Sequence, residues 1–349
     1  MKKIQKHIEI VRSDLPGLSS LSLKSCKAMY AVLKQRYAAV GVTTVTSEAD
    51  LELLVSRSPD LVFMGMKVLH IPTADAQNDD QLIWISDYLE YHGIEHTGSG
   101  QKAMEFELNK PLAKRQVLAA GLQTAPFLVI KNGVAPAELA TSLKFPLFVK
   151  PASLGGGEGI DDYSVVHDRA ELRAKIESIQ AVYTTDILIE EYLPGREFSV
   201  AILRDEGTNE LTAMPIELVA QSNDRGDRVL GQKMKALDVE VVLPVTDPSM
   251  RTQVVDLAVN VFKAIGARDY GRIDIRLSAV GVPHFLEANL IPSLIGGYGS
   301  FPKACALNAN MNYETMIHRI VDLGLSRLPV LNAPEGLPLL GALLSPTAI

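Results

Sequence analysis

The chain has 349 residues, 47% of them apolar and 21% charged, with a formal net charge of −7. That length implies two or three domains with a substantial core, and the acidic balance argues against nonspecific nucleic-acid binding and attachment to anionic membranes. Two cysteines, Cys26 and Cys305, support neither a disulfide framework nor a cysteine metal site, and no signal peptide or membrane-spanning run follows the basic start, so a cytoplasmic protein is expected.

Residues 1 to about 97 read as alternating strand and helix. His7–Val11 is a predicted strand, Leu23–Ala39 a helix ending at Gly41, and Val42–Val45 a second strand. Asp50–Ser56 reads as a helix, Leu61–Met64 as a strand, and Asp79–Tyr91 as a helix stopped by Gly93. Such alternation predicts a parallel sheet covered by helices. Thr97-Gly98-Ser99-Gly100 then punctuates the chain.

A second unit opens with a helix from about Asn109 to Ala120, followed by the strands Phe127–Ile130 and Phe145–Lys150. Asp168 is placed to cap the next helix, with Glu171 completing a capping box and Leu172, Ile176 and Ile179 supplying the buried stripe. Strand Asp186–Glu191 closes the unit. The third unit contains strands Glu197–Leu203 and Leu211–Val219. A helix capped by Asp247-Pro248 follows, with Val254, Leu257, Val261 and Ile265 at helical spacing. The stretch from Leu328 to Ile349 holds four prolines and no clear period, as expected of a tail.

Three stretches carry chemistry. In Gly271-Arg272-Ile273-Asp274-Ile275-Arg276-Leu277, strand alternation sends Arg272, Asp274 and Arg276 to one face. In Phe285-Leu286-Glu287-Ala288-Asn289, Glu287 and Asn289 share a face. Joined as an antiparallel hairpin across Ser278–His284, the two runs bring two carboxylates and an amide together beside arginine. Hard oxygen ligands of this kind suit magnesium carrying nucleotide phosphates rather than zinc, although a solvated hairpin face would also show such charges.

The second stretch is Phe148-Val149-Lys150-Pro151-Ala152-Ser153-Leu154-Gly155-Gly156-Gly157-Glu158-Gly159, a lysine at the end of a buried strand followed by four glycines. Glycine lets backbone N–H groups turn toward phosphates, and the lysine adds a positive charge to the same place. The spacing matches neither the P-loop nor the dinucleotide fingerprint, and a plain surface loop is the alternative. The third stretch, Ile187-Leu188-Ile189-Glu190-Glu191-Tyr192-Leu193-Pro194-Gly195-Arg196-Glu197-Phe198, runs from strand through a Pro-Gly turn into a new strand, as a hinge between two units would.

Taken in order with Lys110, these motifs resemble the ATP-grasp superfamily, and within it the D-alanine–D-alanine ligase family, over residues 95 to 325. The resemblance implies an α/β chain, α+β in its C-terminal part, with an ATP-grasp fold behind an N-terminal Rossmann-like parallel-sheet domain. The expected division is 1–100 for that domain, 101–193 for the central subdomain with the glycine loop, 194–327 for the C-terminal subdomain, and 328–349 for the tail.

It further implies that Lys110 and Lys150 bind ATP phosphates under the loop containing Ser153, Gly155, Gly156 and Gly157. The backbone of Glu190, Glu191, Tyr192 and Leu193 would hold adenine, and Glu197 the ribose. Asp274, Glu287 and Asn289 would bind two magnesium ions, and Arg272 would steady the transferring phosphoryl group. Lys233 or Lys235 would match a further phosphate-binding lysine; spacing leaves both open. Small amino-acid-like substrates and a homodimer are implied in the same way. The reaction expected is ATP-dependent activation of a carboxylate as an acyl phosphate, then attack by an amine.

The substrate half departs from the family pattern. The loop Asp14–Ser22 lacks the family's glutamate, the His-Gly and Glu-Asp-Gly motifs are absent, and Pro292-Ser293 is followed by Tyr298 near the expected serine position. Ser293, Tyr298 and Ser300 are the candidate substrate contacts. Two alternatives stay open: ligation of another amino acid or small acid, ring closure included, and an ATP-binding regulator without turnover.

Overall fold

The computed structural model describes residues 2–15, 17–18, 20–71, 81–134, 142–229 and 241–327. The predicted tail, Lys233 and Lys235 lie outside the described residues. The chain begins with β1 (Ile4–Arg12), α1 (Leu23–Arg36), β2 (Tyr37–Thr44), α2 (Glu48–Ser56) and β3 (Leu61–Met64). These strands form the expected parallel sheet, in the order β2-β1-β3. The first helix is shorter than its predicted run to Ala39. At Tyr37 the backbone turns extended, and Tyr37 to Thr44 pair with β1. Alanine favours helix, but ladder hydrogen bonds and complete burial of the Tyr37 ring decide the local structure.

A second difference follows β3. Val68–Ile71 (β4) and Gln81–Trp84 (β5) form an antiparallel ribbon, so the helix predicted from Asp79 begins only at Ile85 as α3 (Ile85–Tyr91). Thr97-Gly98-Ser99-Gly100 is not a free linker: Thr97 and Ser99 are buried, and the Gly98 N–H donates to the Asp269 carboxylate at 2.8 Å. Next come α4 (Gln101–Leu108) and α5 (Lys110–Ala119), broken at Asn109, whose side chain caps α5 by accepting from the Leu112 N–H.

Strands β6 (Phe127–Ile130), β7 (Leu147–Pro151), β8 (Val165–Val166) and β9 (Ile187–Glu191) make an antiparallel sheet in the order β6-β9-β7-β8. Helix α6 (Arg169–Gln180) covers it, burying Leu172, Ile176 and Ile179 as expected. Asp168 caps α6, but the predicted capping box is not formed. The Glu171 carboxylate accepts from the His167 N–H, one residue earlier than that motif requires.

The largest sheet is antiparallel, in the order β12-β11-β10-β13-β14. Its strands are β10 (Glu197–Arg204), β11 (Leu211–Val219), β12 (Val241–Pro244), β13 (Tyr270–Leu277) and β14 (Pro283–Asn289). Period-2 alternation divides its side chains between two cores: Val200 and Ile202 enter one, Ala201 and Leu203 the other. Helix α7 (Pro248–Ala264), with Val254 and Val261, packs on the first core together with α5. Helices α8 (Ser300–Ala309) and α9 (Tyr313–Leu325) close the second core against β1 and α1. A third core is confined to the small sheet and α6.

Candidate active site

The β13–β14 hairpin has the predicted register. Asp274 lies opposite Glu287 and Arg272 opposite Asn289, with an irregularity just beyond Asp274. Ile273, Ile275 and Leu277 enter the core, which leaves Arg272, Asp274 and Arg276 on the open face. Asp274 is fixed by four donors. Arg272 grips it through Nε (3.0 Å) and Nη2 (2.8 Å), Ser199 Oγ donates at 2.7 Å, and Asn289 Nδ2 donates at 3.1 Å. Because the Asn289 amide nitrogen faces Asp274, its amide oxygen is turned elsewhere. Two carboxylates facing each other across the hairpin, with the Asn289 amide beside them, fit a hard divalent cation. Among the described residues no group of three or more His, Cys, Asp and Glu side chains could hold a metal by themselves.

That corner opens into a cavity of about 860 Å³, the size range of small-ligand sites. Across it stand Lys150 at the end of β7 and the glycine loop. Ser153, Gly155 and Gly156 line the cavity, whereas Gly157 and Lys110 do not. The buried Lys110 ammonium instead donates to the Leu154 carbonyl, pinning the loop's base to α5. The loop closes at Gly159, where φ is +72° and an added Cβ would sit 2.5 Å from the Pro151 ring, so only glycine fits.

Glu190 holds this wall together. Its Oε1 lies 2.7 Å from the Lys150 ammonium, and its Oε2 lies 2.7 Å from that of Lys114. Lys114 is completely buried and also donates to Thr124 Oγ1 at 2.7 Å. Burial alone would raise the Glu190 pKa, but the two ammonium groups outweigh it and hold the carboxyl down to about 2. The lysines respond in opposite directions. Burial outweighs Glu190 for Lys114 and lowers its pKa; for Lys150, burial is overcome by Glu190, Glu287 and Glu197, and the pKa rises. Of the two lysines, Lys150 is the one that lines the cavity.

At the hinge, Glu191, Tyr192 and Leu193 also line the cavity. The N–H groups of Glu191 and Tyr192 donate to the Pro126 and Pro146 carbonyls, which fixes the strand's exit. Arg276 clamps the turn through the Glu197 carboxylate (3.2 Å), the Tyr192 hydroxyl (3.0 Å) and the Arg228 carbonyl (3.0 Å), with its guanidinium 5.0 Å from the Tyr192 ring centroid.

The cavity is also lined by Gly17, Leu18 and Ser20, by Lys67, Val68 and His70, and by Glu107. Ser293, Tyr298 and Ser300 complete it. The N–H groups of Tyr298 and Gly299 both reach the Ile295 carbonyl, a turn that leads into α8 with Ser300 as its first residue. Asp14, in the loop that lacks the family's glutamate, is exposed and ion-paired with Arg12, and it does not line the cavity.

The hairpin, the loop and the hinge predicted from separate motifs therefore converge. Sequence reasoning missed Lys114, Lys67 and Glu107. Lys114 left one trace: it stands four residues after Lys110, on the same helical face as buried Ala113 and Val117. Arg276 was placed on the correct face without a role, although strand alternation put it in line with Arg272 and Asp274.

Two antiparallel sheets closing on a lysine-lined loop and a carboxylate corner define an ATP-grasp ligase. The D-alanine–D-alanine ligase from Bacillus anthracis, solved with ATP, superimposes with a TM-score of 0.70 at 20% identity, over 92% of this chain and 97% of that one. A D-Ala:D-Ser ligase from Enterococcus faecalis does so with a TM-score of 0.67 at 19% identity, over 92% and 99%. A D-alanine–D-alanine ligase of Bordetella petrii is 34% identical over 67% of this chain and 69% of its own length. The family model for the D-Ala–D-Ala ligase C-terminus matches residues 117–322. The chain belongs to the D-alanine–D-alanine ligase family. Among the described residues no helix is long and apolar enough to cross a membrane.

Proposed function

We propose that this chain is an ATP-dependent carboxylate–amine ligase, which activates an amino-acid carboxylate as an acyl phosphate and joins it to an amine, releasing ADP and phosphate. The observation that carries this reading is the Asp274–Glu287 pair, flanked by Arg272 and Asn289, facing Lys150 and the glycine loop across one cavity. Relatives named for joining D-alanine to D-alanine or D-serine support an amino-acid substrate.

In this reading the substrate carboxylate oxygen attacks the γ-phosphorus of ATP and the bond to ADP breaks. The amine nitrogen then attacks the acyl carbon, phosphate leaves, and the amine loses a proton. Lys150 and Arg272 neutralise the charge carried by the transferring group. Asp274, Glu287 and Asn289 would hold two magnesium ions, which supply further charge neutralisation when bound. Ser153, Gly155 and Gly156 offer backbone to the phosphates and, with the loop closed, keep water from the acyl phosphate. Gly157 and Lys110 shape that loop from outside the cavity wall. The hinge at Glu190–Leu193 takes the adenine edge, and Glu197, oriented by Arg276, takes the ribose hydroxyls.

Release of ADP and phosphate across a panel of D- and L-amino acids, alone and in pairs, tests this. Release that depends on both an acid and an amine, with an amide product of matching mass, is expected. Tight ATP binding with no acid-dependent phosphate release would identify a regulator instead.

A further inference from the structure

We infer that Lys175 is a positioning residue for the transfer reaction: with Asp161 it fixes the C-terminal foot of the glycine loop, so that only the turn from Gly155 to Glu158 is left to close over the acyl phosphate. The inference rests on the ligase reading and adds to it a residue outside the cavity wall.

Lys175 takes a place that suits an apolar residue. With Leu172, Ile176 and Ile179 it makes up the buried face of α6, and it is 5% exposed. Burying an ammonium is costly, and a methionine would fill the same stripe without that penalty. Two acceptors from the end of the loop meet the charge: the Gly159 carbonyl at 3.1 Å and Asp161 Oδ1 at 2.8 Å. Asp161 is itself built into a turn. Its carboxylate accepts from the Tyr163 N–H at 2.9 Å, and its own N–H donates to Ser164 Oγ at 3.0 Å. A buried charge whose acceptors both lie at the end of the loop answers a demand of the loop, not of the helix.

The other foot is held in the same manner. The buried Lys110 ammonium donates to the Leu154 carbonyl, and Ser153 Oγ lies 2.9 Å from Thr185 Oγ1. Between the feet the loop stands clear. At Gly155 and Gly156 no atom beyond the chain neighbours comes within 4 Å of the place a Cβ would take, and both glycines line the cavity. Two buried ammonium groups, one from α5 and one from α6, thus bracket a turn with open space around it. Fixed feet restrict the turn before phosphates arrive, so less ordering is needed to seal the site against water.

The test uses the full-length protein, MgATP, hydroxylamine, and D-alanine or whichever acid of the panel above releases phosphate fastest. Hydroxylamine nitrogen attacks the acyl carbon, phosphate leaves and a hydroxamate forms. Water entering an unsealed site attacks the same carbon, regenerates the acid and releases phosphate without hydroxamate. Phosphate released per hydroxamate therefore measures the seal. Lys175→Met should raise that ratio and the KM for ATP about 10-fold. Its melting temperature should stay the same or rise, since Asp161, 54% exposed, is left to water. Asp161→Asn keeps an acceptor for Lys175 and should move both quantities the same way by less; it decides the matter if Lys175→Met fails to fold. A lower melting temperature with both quantities unchanged would make Lys175 merely structural and overturn the proposal. A second readout needs no acid. The Mg complex of a nonhydrolysable ATP analogue should slow cleavage after Glu158 by a glutamate-specific protease in the wild type and not in Lys175→Met. Equal protection in the two proteins overturns the role of Lys175 and leaves the ligase reading intact. Absence of phosphate release by the wild type with any acid overturns the ligase reading, and protection then decides the role of Lys175 by itself.

Discussion

The two ends of the cavity are built by different rules. At one end Asp274 has four donors and Glu190 has two lysines. These groups sit on paired strands whose register is fixed by cores on their far faces. At the other end the lining comes mostly from connections between elements, and Glu107 and Lys67 form an ion pair there. In the proposed function the phosphate chemistry would thus fall to paired strands, and substrate choice to positions that can change without disturbing a strand. Charge separation explains the arrangement. Phosphoryl transfer demands fixed dipoles and charges, whereas discrimination between small acids needs only a few contacts.

The sharpest way to break this contrast is Asp274→Asn, which keeps the shape of the corner and removes its charge. Acid-dependent phosphate release should fall on the order of a thousandfold. A loss of less than tenfold would move the metal elsewhere. Next in size is Lys114→Met, which leaves Glu190 buried with one partner. Urea unfolding should show a loss of roughly 3–5 kcal/mol, the cost of breaking a buried ion pair, together with a higher KM for ATP. Unchanged stability would mean that the Glu190 carboxylate is not held by two ammonium groups.

Acid titration sharpens the same point. Glu190 is held near 2 in the folded protein against an ordinary value of 4.5. Its contribution to stability is therefore fully present above pH 4.5 and is lost as pH falls toward 2. Glu190→Gln should flatten that part of the acid-unfolding curve, and a curve with the wild-type slope would contradict the assignment. The smallest effect belongs to the other end. Tyr298→Ser should leave ATP affinity within about twofold and shift acceptor preference by up to about tenfold, the scale of a single neutral contact. Weakened ATP binding in that variant would show that the two ends are not independent.

Much of the nucleotide end was legible in the sequence because strand alternation converts directly into geometry. Once Arg272 to Leu277 is read as a strand, the face shared by Arg272, Asp274 and Arg276 follows. Leu61–Met64, Phe127–Ile130 and the α6 stripe were legible for the same reason, since burial follows a simple period. What escaped depended on contacts between distant parts of the chain. Nothing local announces that Lys114 meets Glu190, or that Glu107 meets Lys67. The misplaced start of α3 and the overlong α1 fell where helix-favouring residues adjoin residues recruited into pairing, a decision made by partners outside the segment.

Lys114 belongs to a helix packed in the large core, whereas Glu190 and Lys150 belong to the small sheet with its own core. Their contact is therefore mechanical as well as electrostatic. Helix α5 thus fastens the small sheet and its loop at two points, through Lys114 at Glu190 and through Lys110 at the base of the glycine loop.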